Sequence, residues 1–207
     1  MTRLSEIIRH GAEIHGWVPQ PDMPCRGHLH RLPTLANFIT LTRSFVSTVL
    51  FGVAFTTGNL AHLSLAVGVA VCGDLMDGFV ARLMNQQSRF GAVFDLCADR
   101  LAVGLLFTYM TWHEPQQAVA DLTYLFVAFM LDCPLSLMFL PHGLTSQSEF
   151  DRHDVALWKW NFSPLAKFMH SLLLPGLVLL APPVIGTIGA LISGIVRIWW
   201  IVRDNAF

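Results

Sequence analysis

The stretch Leu60-Ala61-His62-Leu63-Ser64-Leu65-Ala66-Val67-Gly68-Val69-Ala70-Val71-Cys72-Gly73-Asp74-Leu75-Met76-Asp77-Gly78-Phe79-Val80-Ala81-Arg82 decides the fold. From Leu60 to Gly73 it holds no Asp, Glu, Lys or Arg. Two aspartates then enter a run that stays apolar to Val80. A helix crossing the hydrocarbon core needs about 20 such residues. An Asp near the middle of one costs about 2.5–3.5 kcal/mol on insertion scales, and less toward the interface. The run is therefore a membrane helix whose acidic end has a purpose beyond packing.

The rest of the chain agrees. Of 207 residues, 54% are hydrophobic and 13% charged, about half the charged share of a soluble domain. Mean hydropathy is +0.54. Thirteen Lys+Arg against 14 Asp+Glu leave no basic excess, which argues against nucleic acid as a partner. Cys25, Cys72, Cys97 and Cys133 form no C-x-x-C pair, so neither a zinc site nor a disulfide framework is expected. Apolar runs place six spans at about 38–56, 60–82, 90–111, 118–140, 164–181 and 184–202. Between them lie Thr57-Gly58-Asn59, Asn85–Ser88, Glu114–Gln117, Pro141–Trp160 and Ala181-Pro182-Pro183, each with turn chemistry. The expectation is an all-α integral membrane protein of six helices.

Every Lys and Arg falls before or near the start of span one, around the 2–3 and 4–5 connections, or at the end of span six. With six spans these segments share one side, which the positive-inside rule assigns to the cytoplasm, together with both termini. Residues 1–36 lack the apolar core of a secretory signal. They carry Leu4, Ile7, Ile8, Gly11, Ile14 and Val18 at helical spacing, a pattern open to an interfacial amphipathic helix or to a polar tail. The division expected is a cytoplasmic or interfacial segment at 1–36 and a six-helix domain at 37–207.

Asp74, Asp77, Gly78, Ala81 and Arg82 share one face of span two, and Gly91, Asp95 and Asp99, four apart, share one face of span three. A short turn makes the two spans antiparallel, so the acidic faces converge. Arg82 and Arg100 are the nearest basic residues on these spans, and two cations do not neutralise four carboxylates. Carboxylates without His or Cys suit a hard divalent cation, Mg²⁺ or Mn²⁺, and four suit a pair of ions. Gly78, Ala81 and Gly91 leave room for a ligand to approach the backbone. Arg82 beside two cations calls for phosphate oxygens.

Asp74, Asp77, Gly78, Ala81, Arg82, Gly91, Asp95 and Asp99 match every fixed position of D-x2-D-G-x2-A-R-x8-G-x3-D-x3-D. In this the chain resembles the CDP-alcohol phosphotransferases (class I), and Asn37, Thr40 and Arg43 look like that family's pattern before span one. The resemblance implies a homodimeric membrane enzyme that transfers a phosphatidyl group from CDP-diacylglycerol to an alcohol and releases CMP. It implies two Mg²⁺ or Mn²⁺ ions on Asp74, Asp77, Asp95 and Asp99, with Asp99 also the catalytic base. Asn37, Gly78, Ala81, Arg82, Ser88 and Gly91 would then surround the donor nucleotide, and the active site would face the cytoplasm.

The run Asn85–Asp95 and Asp132 are similar to phosphatidylinositol synthases, which makes inositol the favoured acceptor. Glycerol 3-phosphate and phosphatidylglycerol, the acceptors of phosphatidylglycerophosphate and cardiolipin synthases, are the alternatives. Arg152, Lys159 and Lys167 are candidates for the acceptor, or plain positive-inside anchors. Gly186, Ala190 and Gly194 form a small-residue stripe on span six, expected to serve internal helix packing before any dimer contact. A divalent-cation carrier is the non-enzymatic alternative; it predicts a midplane site within repeated halves, and the sequence has no internal repeat.

Overall fold

A computed structural model of the chain describes residues 34–204, apart from 141, 143, 145, 146 and 153. The expectations for residues 1–33, including the amphipathic pattern, lie outside the described residues. Six long helices follow one another: α1 (Leu35–Thr57), α2 (Leu60–Leu83), α3 (Arg89–His113), α4 (Pro115–Leu137), α5 (Val155–Leu180) and α6 (Pro183–Asp204). A 3₁₀ turn at Gln147–Arg152 sits between α4 and α5, and no strand occurs among the described residues. All but α3 are long and apolar enough to cross a membrane. With 25 residues α3 has the length, but it carries Arg89, Asp95, Asp99 and Arg100, the charges that make the site.

The helices end where the sequence has capping chemistry. Thr34 Oγ1 accepts from the Asn37 N–H at the start of α1 (3.1 Å), and Gly58 closes it at φ 63°. Asn59 caps α2 and Ser88 caps α3, Ser88 Oγ accepting from the Gly91 N–H (3.0 Å). Asn85 takes φ 52° in the connecting turn. Gln86 Oε1 in the same turn accepts from the Ala36 N–H (3.3 Å), tying the α2–α3 turn to the start of α1.

Span five begins earlier than hydropathy places it. Asp154 Oδ1 accepts from the Ala156 and Leu157 N–H groups (2.8 and 2.9 Å), so the helix starts at Val155 inside the expected connection. Three stretches of helix widen to π-type turns, 127–132, 158–162 and 169–173, each ending two residues before a proline: Pro134, Pro164 and Pro175. Pro134 and Pro175 stand inside helix that continues, where a proline has no N–H to donate and crowds the preceding turn. Before Pro164 the helix is interrupted, Ser163 taking ψ 156° and its Oγ accepting from the Ala166 N–H (3.2 Å) to start the next turn.

Packing divides into two lobes joined through α3. Phe51, Ala54, Leu63, Ala66 and Tyr109 fill the space between α1, α2 and α3. Phe107, Ala120, Tyr124, Ala128, Val178 and Ala190 fill that among α3 to α6. At the carboxyl end of α4, Leu135, Phe139, Phe150, Leu157, Phe162 and Trp200 make a third cluster. The stripe on α6 is used internally: Ala190 is fully buried, and a Cβ on Gly186 would lie 3.1 Å from Val178 O. Outward surfaces are apolar, with Phe38, Phe45, Trp112, Leu180 and Ile195 exposed, as lipid contact requires.

Candidate metal and phosphate site

The site forms where α1, α2 and α3 meet near the α2–α3 turn. The buried face of α1 runs Ala36, Asn37, Thr40, Arg43, Ser47, and that of α2 runs Ala66, Ala70, Gly73, Asp77. Both follow helical spacing. The small residues of α2 let α1 come close, and at Gly73 the approach is closest. A Cβ there would lie 2.6 Å from both Cβ and Cδ of Arg43. Gly73 is thus the notch through which the Arg43 side chain passes.

Arg43 reaches all four aspartates. Its Nε donates to Asp77 Oδ2 (2.9 Å) and its Nη1 to Ala70 O (3.2 Å). Its Nη2 sits among the Oδ1 atoms of Asp95 (2.6 Å), Asp99 (3.1 Å) and Asp74 (3.5 Å). Thr40 Oγ1 also donates to Asp77 Oδ2 (2.6 Å). Exposure separates the aspartates into two kinds. The side chains of Asp74, Asp95 and Asp99 are 41–44% exposed, whereas those of Asp77 and Arg43 are 2% and 4% exposed. Three carboxylates therefore line an opening, with the Asp77–Arg43 pair behind them.

Four carboxylates against one guanidinium leave a formal charge of −3. Asp74, Asp95 and Asp99 each offer an oxygen within 4.8 Å of the other two. Oxygens on one divalent cation, each at about 2.0–2.6 Å from it, stand at such separations. Geometry, oxygen chemistry and uncompensated charge all fit a hard divalent cation. Asp77 takes the second layer in this arrangement, with its Oδ2 shared by Thr40 and Arg43.

The residues expected around a nucleotide gather at the same end. A Cβ on Gly91 would lie 3.0 Å from Asn37 Oδ1 and 3.1 Å from Ser88 Oγ, so these three are neighbours. Arg82 is exposed and folds back on Gly78, where a Cβ would meet its Nη1 at 3.5 Å. Ala81 is half-buried on the same helix, its carbonyl accepting from the Gln86 N–H. Lys167 of α5 lies within electrostatic range of Asp74, Asp95, Asp99 and Arg82. Lys159, exposed in the wide turn at 158–162, makes no ion pair with these aspartates among the described residues. The side chain of Arg152 lies outside the described residues.

Two features of the site escape the sequence reading. The counter-ion is Arg43, not Arg82 or Arg100; its signal was a basic residue on the α1 face shared by Asn37 and Thr40. Arg100 instead bonds Asp132 of α4, whose other oxygen accepts from Arg197 Nε of α6 (2.7 Å). Arg197 also donates to Ser193 Oγ one turn before it. Asp132 thus joins α3, α4 and α6. The second missed feature, Gly73, continues the stripe Ala66, Ala70, Asp77 and was legible as part of it.

A helical membrane fold with this carboxylate cluster defines a class. The family model for CDP-alcohol phosphatidyltransferases matches residues 33–202, and the chain belongs to that family. Among its relatives, the phosphatidylinositol phosphate synthase of Corynebacterium glutamicum is 30% identical over 101 residues, 48% of this chain and 46% of that one. A CDP-diacylglycerol–inositol 3-phosphatidyltransferase of Arabidopsis thaliana is 34% identical over 77 residues, 37% of this chain and 33% of its own. A CDP-diacylglycerol–glycerol-3-phosphate 3-phosphatidyltransferase of Rickettsia typhi is 33% identical over 75 residues, 35% of this chain and 42% of its own. The chain thus aligns with less than half the length of these curated relatives. No solved structure matches it.

Proposed function

We propose that the chain is a phospholipid-synthesising transferase that moves the phosphatidyl group of CDP-diacylglycerol to a polar alcohol and releases CMP. The observation that carries this reading is the open carboxylate triad Asp74, Asp95 and Asp99, with its unneutralised charge, beside Gly78, Arg82, Asn37 and Ser88. Asp74, Asp95 and Asp99, joined by Asp77 if its bonds to Arg43 and Thr40 loosen, would hold Mg²⁺ or Mn²⁺. Such ions supply a clamp for the donor pyrophosphate and offset charge on the departing CMP. Arg82 adds a fixed positive charge to the same phosphates, and Gly78 and Gly91 keep side chains out of their way.

In this reading Asp99 takes the proton of the acceptor hydroxyl. The alcohol oxygen bonds to the phosphorus that carries diacylglycerol, while the bond from that phosphorus to the CMP oxygen breaks. An alcohol is far less acidic than a carboxylic acid, so most of the acceleration must come from alignment and charge stabilisation rather than from the base. The basic segments support a site on the cytoplasmic side, with the six-helix unit at 37–207 as the catalytic part in this reading.

For the acceptor we favour inositol or its phosphate, because two of the relatives reported above are named for those products. Lys167, in range of the triad from α5, supplies a charge for a phosphorylated acceptor. Glycerol 3-phosphate is the second choice, supported by the Rickettsia relative. The test is a panel. Purified protein receives labelled CDP-diacylglycerol with Mg²⁺ or Mn²⁺ and, separately, inositol, inositol phosphate, glycerol 3-phosphate, serine or phosphatidylglycerol. A lipid product with inositol or its phosphate supports the reading, a product with another acceptor corrects the alcohol, and no product with any of the five refutes it.

A further inference from the structure

Arg43 reaches into the carboxylate cluster that would hold a metal ion. Its Nη2 lies 2.6, 3.1 and 3.5 Å from oxygens of Asp95, Asp99 and Asp74, the same three carboxylates whose oxygens cluster closely enough to share one cation. The guanidinium is not there by loose association. Asp77 Oδ2 and Ala70 O fix its other nitrogens, and the Gly73 notch fixes its stem. Guanidinium is rigid and planar, so Nη2 cannot leave the triad without disturbing the bonds of Nε and Nη1.

We propose that Arg43 is a tethered internal cation that closes the carboxylate site in the metal-free protein and competes with the divalent ion for it. The proposal rests on reading the triad as the metal site. Without metal, the arginine relieves repulsion among carboxylates that lipid and helix packing hold together. An entering ion takes over those oxygens, and the guanidinium yields them. By linkage, whatever the arginine contributes to the metal-free state is subtracted from metal affinity. The ion is therefore held weakly until further oxygens, such as those of a pyrophosphate, add to its shell. Metal and donor would then bind cooperatively, and an ion would not stay in the site without a donor to use it.

The test measures Mn²⁺ binding to the purified 207-residue chain in detergent micelles, without donor, from the spectrum of free Mn²⁺. Unsubstituted protein, Arg43→Gln, Arg43→Lys and Asp95→Asn are compared, with folding checked by thermal unfolding in chelator. Arg43→Gln should bind Mn²⁺ at least about tenfold more tightly than the unsubstituted chain, given the strength of a charge contact this close. Its unfolding midpoint in chelator should be lower and should recover when Mn²⁺ is added. If Arg43→Gln does not fold, Arg43→Lys carries the test. It keeps the charge on Asp77 but cannot span from Asp77 to Asp95, and it should bind several-fold more tightly. Equal or weaker Mn²⁺ binding by the folded variants overturns the proposal. Asp95→Asn binding Mn²⁺ as well as the unsubstituted chain would instead remove the reading of the triad as the metal site.

Discussion

Asp77 and Asp95 look equivalent in the sequence and should behave in opposite ways when neutralised. The side chain of Asp77 is 2% exposed and accepts from Arg43 Nε at 2.9 Å and Thr40 Oγ1 at 2.6 Å. Breaking a buried pair by removing one partner costs about 3–5 kcal/mol when the other charge is left uncompensated. Arg43 keeps Asp95 and Asp99 at 2.6 and 3.1 Å, so Asp77→Ala should lose about 3 kcal/mol, the lower end of that range, a fall of roughly 6–12 °C in midpoint for a chain of this size. The side chain of Asp95 is 42% exposed, with Arg43 Nη2 at 2.6 Å and two further carboxylates within 4.8 Å. At that exposure, attraction and repulsion are both screened and oppose each other. Asp95→Asn should change metal-free stability by no more than about 1 kcal/mol. The assay is thermal unfolding in detergent micelles at one fixed scan rate, with chelator and with Mg²⁺ or Mn²⁺. Unfolding of a membrane protein is often irreversible, so midpoints rank variants and are not converted to equilibrium values. The expected pattern is a large loss for Asp77→Ala in chelator, and for Asp95→Asn a near-normal midpoint that metal no longer raises. Equal loss in both variants, or greater loss in Asp95→Asn, would refute the two-layer arrangement.

Three other outcomes can be checked. Asp99→Asn should keep its fold, bind Mn²⁺ more weakly as a member of the triad, and form no product even at Mn²⁺ concentrations that refill the site; turnover near the unsubstituted rate under those conditions would remove Asp99 as base. Gly186→Leu should lower the unfolding midpoint, since a Cβ there already lies 3.1 Å from Val178 O and overpacking costs about 1–3 kcal/mol; an unchanged midpoint would contradict the α5–α6 packing. With the four native cysteines replaced, Thr57→Cys at the carboxyl end of α1 should react with an impermeant thiol reagent only from outside the cell. Labelling from the cytoplasmic side alone would reverse the orientation.

Helix number, helix type and the meeting of the four aspartates were all legible in the sequence, because each rests on local periodicity. Apolar runs of membrane length and intervals of three and four need no tertiary information. The start of α5 was not legible: Asp154, Lys159 and Asn161 are polar, and polar residues at a membrane interface lower hydropathy without ending a helix. The wide turns before Pro134, Pro164 and Pro175 could have been read, since the prolines stand in plain view. Arg43 was harder. In sequence it stands with Asn37 and Thr40 in the pattern before span one and also counts among the basic residues near the start of a span, with no role attached to it. Only the packing of α1 against the Ala66–Ala70–Gly73 stripe turns it inward. Ser88 shows a different ambiguity, because it serves as the α3 cap and also lies beside Asn37 and Gly91; a helix cap and a ligand contact use the same hydroxyl chemistry.

In the proposed function the open triad supports metal-dependent transfer from a CDP-activated lipid. Its most direct measurement is CMP release from labelled CDP-diacylglycerol and inositol phosphate by purified protein and by Asp95→Asn, each with Mg²⁺, with Mn²⁺ and with chelator. Release by the unsubstituted protein is expected only when metal is present, matched by lipid product, with none above background from Asp95→Asn. Equal release in chelator, or full release by Asp95→Asn, would contradict it.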